Sequence, residues 1–202
     1  NACFNGDFKF KDITIKYTDT VDRFWATNGK RMVMGENIRS ISTTGRYLGI
    51  IGGMTGNVAN GNPEIEIHSG IYSFIAGGGR SAALNGNPKI TIYDGEFKGS
   101  STGSSIFGAS IIGGGMFNDS PIHGNTEITI YGGIFEKKVI GGSVKQAESF
   151  SAGNPINGDT SLTIYGGDFK GNVLAGGPCY RKMRMRQTIR RAHGLDQLRR
   201  IV

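Results

Sequence analysis

The chain has 202 residues, of which 34 are glycine, 37% are hydrophobic and 19% are charged. Glycine is thus more than twice as frequent as its usual level of about 7%. No run of eighteen apolar residues exists and the charged fraction is low, so neither a membrane-spanning helix nor charge-driven disorder is expected. The net charge of +7 lies entirely in residues 181–202, which hold eight basic residues and one acid, so the rest of the chain is neutral.

Residues 1–60 carry short apolar runs separated by polar and glycine-containing turns. Phe8–Phe10 and Ile13–Ile15 alternate with polar residues, which predicts two strands. Residues 24–35 read as strand, turn and strand, and Ile50–Ile51 precede the pair Gly52-Gly53. We interpret this region as degenerate first turns of the architecture that follows.

Residues 61–177 carry four copies of one repeat, whose first segments start 25, 38 and 34 residues apart. Each copy has a polar corner, an alternating apolar run, a glycine followed two residues later by an aromatic residue, and an apolar run closed by two glycines. The alternating runs are Gly61-Asn-Pro-Glu-Ile-Glu-Ile-His68, Gly86-Asn-Pro-Lys-Ile-Thr-Ile-Tyr93, Gly124-Asn-Thr-Glu-Ile-Thr-Ile-Tyr131 and Gly158-Asp-Thr-Ser-Leu-Thr-Ile-Tyr165. A recurring unit with loops of variable length is typical of a solenoid.

The repeat unit is a β unit, because its apolar residues alternate with period two and glycine pairs would break a helix. We therefore predict an all-β, single-stranded parallel β-helix, or β-solenoid, over residues 1–177, with variable loops after Gly-Gly corners (98–110 and 143–157). Two strands per copy are expected, with room for a third. The predicted core comprises Ile90, Ile92, Phe97 and their equivalents Ile128, Ile130, Phe135, Leu162, Ile164 and Phe169. Recurring asparagines at one corner (Asn62, Asn87, Asn125, then Asp159) are expected to form a polar ladder and to tolerate left-handed backbone conformations.

The order of these motifs resembles the β-helix repeat regions of large cell-surface proteins of Gram-positive bacteria. The resemblance covers about residues 4–177 and rests on Asp12-Ile-Thr-Ile15, Ala26-Thr-Asn28-Gly29-Lys30, Met34-Gly35-Glu-Asn37 and the later Ile-Thr-Ile-Tyr repeats. It implies display at the cell surface or secretion, and it says little about a ligand.

Two outward columns are one candidate ligand surface of the predicted solenoid, and the variable loops 98–110 and 143–157, which differ between copies, are the other. The two columns are a threonine column (Thr91, Thr129, Thr163) and a tyrosine column (Tyr93, Tyr131, Tyr165), with His68 at the tyrosine position of the first copy. We expect these columns to form a strip on which sugar rings stack and which binds glycans or another surface protein. The alternative is that they are ordinary cross-strand pairs that only stabilise the sheet.

Catalysis and cofactor binding find little support in the sequence. The acids of the repeats (Glu64, Glu66, Asp94, Glu96, Glu127, Glu136, Asp168) appear singly, and no Ser-His-Asp arrangement is visible. Cys3 and Cys179 are too few for a metal cluster, so we expect no cofactor and no metal. The leading hypothesis is a non-enzymatic stalk or adhesion module without membrane insertion, and the alternative is a carbohydrate-active lyase or hydrolase on the same fold.

Residues 178–202 differ from the rest in composition, with many arginines and no strand alternation. Three interpretations remain open: a basic segment that binds an anionic partner, a cap or linker to a further domain, and a segment translated out of frame. We favour the third, since a one-base shift permits an acidic, turn-rich continuation. Nucleic-acid binding through this tail is therefore a minor alternative.

Overall fold

The computed structural model describes residues 1–21, 23–99, 108–145 and 153–176. The basic tail 178–202 and parts of both predicted variable loops lie outside the described residues. Within the described residues the chain forms twenty strands and no helix: β1 (Ala2–Cys3), β2 (Phe8–Phe10), β3 (Thr14–Tyr17), β4 (Phe24–Ala26), β5 (Arg31–Met34), β6 (Arg39–Ser42), β7 (Leu48–Ile51), β8 (Ala59–Asn60), β9 (Glu64–Ile67), β10 (Ile71–Ala76), β11 (Leu84–Asn85), β12 (Lys89–Ile92), β13 (Glu96–Phe97), β14 (Ala109–Ile112), β15 (Thr126–Ile130), β16 (Ile134–Phe135), β17 (Lys138–Ile140), β18 (Thr160–Ile164), β19 (Asp168–Phe169) and β20 (Val173–Leu174).

The strands form parallel sheets, and each strand pairs with the equivalent strand one turn away. One sheet, called here the groove sheet, has the order β18-β15-β12-β9-β5-β2. The largest sheet contains β1, β4, β7, β10, β13, β16 and β19, with β14, β17 and β20 beside them. All pairings between these strands are parallel. The predicted all-β parallel solenoid is therefore confirmed.

A third, shorter side completes each turn. β8 pairs with β11, and isolated parallel bridges continue this side from Leu84 to Ile122 and from Ile122 to Ile156. The side is apolar inside, where Ala59, Leu84, Ile122 and Ile156 form a small buried cluster. The expected two strands per copy are thus joined by a third element.

The early turns belong to the same sheets as the clear repeats. β5 pairs with β9 so that Met32 lies beside Ile65 and Met34 beside Ile67. Both methionines are fully buried, so they occupy core positions that isoleucine holds in the later turns. In addition, β3 pairs with β6 in a small sheet of the first turns.

The main core runs along the inside of the solenoid. Ile90, Ile92, Ile128 and Ile130 are fully buried, and Leu162 and Ile164 are nearly so. Beside them lies a column of stacked aromatic rings that we call the inner ladder (Tyr72, Phe97, Phe135 and Phe169). The predicted inward residues are therefore the core, and Phe169 packs against it while remaining partly exposed.

The position of one variable loop differs from the prediction. β10 is continuous, whereas its counterpart in the next turn is divided into β13 and β14, so that Tyr72 pairs with Phe97 while Ile75 pairs with Ile111. The 98–110 insertion consequently interrupts a strand before the Gly113-Gly114 pair, whereas the 143–157 insertion follows a glycine pair as predicted. Residues 100–107 and 146–152 of these loops lie outside the described residues.

The glycine pairs are required by close stacking of the turns. A Cβ atom on Gly113 would lie 2.0 Å from the carbonyl oxygen of Gly141, and one on Gly77 would lie 2.2 Å from that of Gly113. The chain uses positive φ at a different corner, where Gly95 and Gly133 have φ of 129° and 107°. Positive φ thus belongs to the glycine two residues after Tyr93 and Tyr131, and not to Gly77 or Gly113 of the glycine pairs.

The predicted polar ladder is present, but its side chains bond the backbone of the next turn and do not accompany a left-handed backbone. The Asn62 and Asn87 side-chain oxygens accept hydrogen bonds from the backbone N–H groups of Asn87 and Asn125, at 2.9 and 2.8 Å. The Asn125 side chain accepts in the same way from Asp159 N–H at 2.7 Å. Among the described residues, the positive φ at this corner belongs to Gly61 (121°) and Gly86 (159°), not to the asparagines. The amides therefore join successive turns and do not relieve a strained backbone.

Candidate binding groove

The outward side chains of the groove sheet form three columns that run across its strands. Strand alternation points the isoleucines inward, and the register aligns the remaining residues from turn to turn. The charged column is Arg31, Glu64, Lys89, Glu127 and then Ser161; the middle column is Val33, Glu66, Thr91, Thr129 and Thr163; the aromatic column is His68, Tyr93, Tyr131 and Tyr165. The backbone ladder extends to the aromatic column, because its N–H groups donate to carbonyls one turn away.

The aromatic column is a continuous stack, which we call the outer ladder. Ring centroids are 4.3 Å apart from His68 to Tyr93, 5.1 Å from Tyr93 to Tyr131 and 4.9 Å from Tyr131 to Tyr165. The ring planes differ by 17° or less. The rings of Tyr93 and Tyr131 are therefore covered on both faces by their neighbours and present their edges outward. A sugar ring therefore cannot stack face-on at Tyr93 or Tyr131, and a ligand would contact the edges of these two rings.

The threonine column is less accessible than its outward position suggests. Thr91 lies between Glu66 and Thr129 in its column and is only 8% exposed, whereas Thr129 and Thr163 are half-buried. The tyrosines are more open, at 43% for Tyr93 and 47% for Tyr131. A ligand would therefore meet the tyrosine edges first and the threonines at the floor.

Six hydroxyl groups of these two columns have no protein hydrogen-bond partner within the described part of the chain. They belong to Thr91, Thr129, Thr163, Tyr93, Tyr131 and Tyr165. Some hydroxyls elsewhere are used by the fold: Thr27 donates to the carbonyl of Gly52, and Tyr72 donates to that of Ser69. The buried hydroxyl of Thr160, outside the two columns, has no partner in the residues that the structure describes. Each hydroxyl supplies one donor and two acceptor sites, so the two columns present a regular array of unused hydrogen-bonding capacity.

The charged column alternates in sign from turn to turn. Arg31 forms ion pairs with Glu64 at 3.4 Å and with Glu66, and Lys89 forms one with Glu127 at 3.1 Å. The hydrogen bond to Glu127 raises the pKa of Lys89 above its ordinary value. Each carboxylate in the column is thus balanced by a neighbouring cation.

The three columns line one open groove of about 360 Å³. All six residues selected from the sequence, the three threonines and the three tyrosines, contribute to its wall. The structure therefore brings the predicted site residues together on or directly after three adjacent strands, β12, β15 and β18. Further lining residues are Glu64, Ile65, Glu66, Lys89 and Glu127.

Sequence reasoning treated the acids as scattered, and this needs correction for Glu64, Glu66 and Glu127. All three line the groove, although Lys89 separates Glu64 from Glu127, so no two acids stack directly. The sequence did contain a signal for their location. The three glutamates occupy outward positions of the alternating run, as do Lys89 and the threonines. The position of Arg31 in the charged column could not be predicted from the repeat, because Arg31 lies in a turn whose sequence has diverged.

The remaining reactive side chains form no second centre. His68 caps the outer ladder, as expected from its column, and His123 accepts or donates a hydrogen bond with Asn157 at 2.9 Å. Among residues 1–21, 23–99, 108–145 and 153–176, no group of three or more His, Cys, Asp or Glu side chains could hold a metal ion. Cys3 is an exposed free thiol, and Cys179 lies outside the described residues. No helix in the described part of the chain is long and apolar enough to cross a bilayer.

Taken together, the sheets and the groove define the chain as a parallel β-solenoid with one hydroxyl-lined outer face. Comparisons with protein-family models, with curated proteins and with solved structures found no match.

Proposed function

We propose that this chain is a non-enzymatic β-solenoid of a secreted or cell-surface protein, serving as a stalk or adhesion module that binds a glycan or protein surface through its groove. The observation that supports the binding role is the array of six hydroxyls without protein partners on successive turns. Thr91 is buried and Thr129 and Thr163 are half-buried, and polar groups in such positions normally find partners, so their free hydroxyls favour a polar ligand.

The stalk role is supported by how the turns are joined. Parallel hydrogen-bond ladders, amide side chains and two aromatic stacks connect each turn to the next. Such a chain of nearest-neighbour contacts suits a scaffold that holds a surface away from its attachment point.

The test is a binding screen of the full chain against soluble and insoluble polysaccharides, with detection of released products. The proposal predicts retention without turnover, and weaker retention when Tyr93, Tyr131 and Tyr165 are all changed to Phe. Tyr47→Phe is the matched control, because Tyr47 lies before β7, outside the groove. Release of unsaturated or reducing-end products that requires Glu66 or Glu127 would instead favour the lyase or hydrolase alternative.

Binding by the basic tail is separable from binding by the groove. A variant that ends at residue 177 keeps every groove residue and removes the net charge of +7. Loss of binding in that variant, together with a steep dependence on salt concentration in the full chain, would assign the activity to the tail.

A further inference from the structure

The groove's hydrogen-bonding groups repeat along the solenoid axis, and this repeat limits what the ligand can be. Neighbouring tyrosine rings are 5.1 and 4.9 Å apart, in line with the spacing of paired strands. A ligand that meets the same hydroxyls on each turn has to lie across the strands and repeat at about this interval. An extended peptide advances only about 3.3 Å per residue, so it would lose register within two turns.

The charged column argues against a highly charged polymer. Along the axis a ligand passes Arg31, Glu64, Lys89 and Glu127, whose charges alternate. A chain of uniform negative charge would meet three groove carboxylates, those of Glu64, Glu66 and Glu127. A chain of uniform positive charge would meet Lys89, which lies between Glu64 and Glu127. Because like charges oppose binding wherever they meet, a polyanion is disfavoured most strongly and the groove favours a neutral polymer.

An extended β-1,4-linked pyranose chain meets both requirements, namely a spacing close to that of the turns and the absence of charge. It is a neutral polyhydroxy ribbon that advances by about one rung spacing per sugar. Alternate sugars are inverted, so hydroxyls from one edge and then the other meet successive turns, whereas an α-1,4-linked glucan coils. Resting on the proposed function of the groove, we infer that its ligand is a neutral β-1,4-linked glycan lying parallel to the solenoid axis, with one sugar over each turn.

The outer ladder determines how each sugar is held. Because the faces of Tyr93 and Tyr131 are covered by neighbouring rings, contact is made at the ring edges, through the tyrosine hydroxyls and the threonines beneath them. A neutral hydrogen bond contributes about 1 kcal/mol, which corresponds to about fivefold in affinity. Binding strength therefore accumulates with the number of turns that the glycan covers.

Chain length provides the test. The dissociation constants of the full chain are measured by calorimetry for cello-oligosaccharides and chito-oligosaccharides from the disaccharide to the hexasaccharide. Affinity is expected to rise by about fivefold per sugar up to the trisaccharide and then to level off, because three turns carry the tyrosine and threonine hydroxyls. Comparing the two series tells a glucan ligand from an N-acetylated one. Equal affinity for the disaccharide and the hexasaccharide would overturn the inferred alignment.

Two further ligands test linkage and charge. Maltohexaose keeps the composition of cellohexaose but coils, and hexagalacturonate carries a charge on each sugar. Both are expected to bind at least tenfold more weakly than cellohexaose, and tighter binding of either would refute the inferred ligand class.

Hydroxyl deletions separate this inference from the proposed function. Thr129→Val combined with Thr163→Val is expected to weaken tetrasaccharide binding by tenfold or more, while the control Thr14→Val, on β3 outside the groove, leaves it unchanged. If these variants weaken retention on the polysaccharide panel but affinity does not follow chain length, the inference fails and the groove's binding role stands. If no groove variant affects any ligand, both fail.

Discussion

The inner and outer ladders are built from the same repeat, at nearly the same spacing, on opposite sides of the solenoid wall. Ring centroids lie 4.7 to 5.9 Å apart in the inner ladder and 4.3 to 5.1 Å apart in the outer one. Stacking alone is therefore a consequence of parallel pairing and indicates no function. The difference lies in the polar atoms: the Tyr72 hydroxyl in the inner ladder is bonded to a backbone carbonyl, while the tyrosine hydroxyls of the outer ladder have no partner among the described residues.

The largest expected effect concerns the inner ladder. Phe135 is fully buried between Phe97 and Phe169. Phe135→Ala should lower the free energy of unfolding by about 3–5 kcal/mol, because it removes the buried ring and leaves a cavity. Urea denaturation followed by circular dichroism measures the loss. A loss below 1 kcal/mol would mean that the inner ladder does not hold the turns together.

The matched change in the outer ladder should cost much less. Tyr131 is 47% exposed and is stacked between Tyr93 and Tyr165. Tyr131→Ala should lower the free energy of unfolding by about 1 kcal/mol, since a stacked aromatic pair contributes about 0.5–1.5 kcal/mol and an exposed one lies at the low end. The same denaturation experiment compares the two variants. Equal losses would remove the distinction between a structural and a surface ladder.

Much of this arrangement could be predicted from the sequence because solenoid turns stack residue on residue. The Ile-Thr-Ile-Tyr run places two isoleucines inside and a threonine and a tyrosine outside, and every copy repeats the assignment. The position of the 98–110 loop could not be read in the same way. β10 is one continuous strand, but an insertion divides the equivalent strand of the next turn into β13 and β14. Only the pairing of Ile75 with Ile111 shows where that strand begins again.

The details of the groove depend on contacts between turns, which a single repeat does not contain. Stacked tyrosines were expected to offer their faces to sugars, but the spacing that brings the rings together also covers those faces. Likewise, Arg31 reaches Glu64 and Glu66 from a diverged turn, so its place in the charged column becomes visible only when β5 is paired with β9.

Alkaline pH should reveal the burial of the one tyrosine in the inner ladder. Burial raises the pKa of Tyr72 above its ordinary value, whereas in the unfolded chain the phenol ionises near pH 10. Above pH 10 the unfolded state therefore loses its proton first, and stability falls with rising pH by up to about 1.4 kcal/mol per unit. Below pH 10 this contribution is fully present.

Tyr72→Phe is the variant that isolates this effect. Phenylalanine already occupies the equivalent positions at Phe97, Phe135 and Phe169, so the change should be tolerated at pH 7. Denaturation midpoints between pH 8 and 12 should then fall less steeply for the variant than for the unmodified chain. Parallel pH profiles would show that Tyr72 does not contribute to alkaline unfolding.

The smallest effect is expected in the charged column beside the outer ladder. The Lys89–Glu127 ion pair spans two turns at 3.1 Å, but about half of each side chain is exposed to solvent. Exposed pairs contribute about 0.2–1 kcal/mol and are screened by salt, so a double-mutant cycle of Lys89→Gln and Glu127→Gln should give a coupling energy below about 0.5 kcal/mol. The coupling should vanish in 1 M sodium chloride, where the screening length is about 3 Å. A large coupling that survives in salt would mean that this column, like the inner ladder, contributes to holding the turns together. The distinction between the two sides of the wall would then rest on the unpartnered hydroxyls alone.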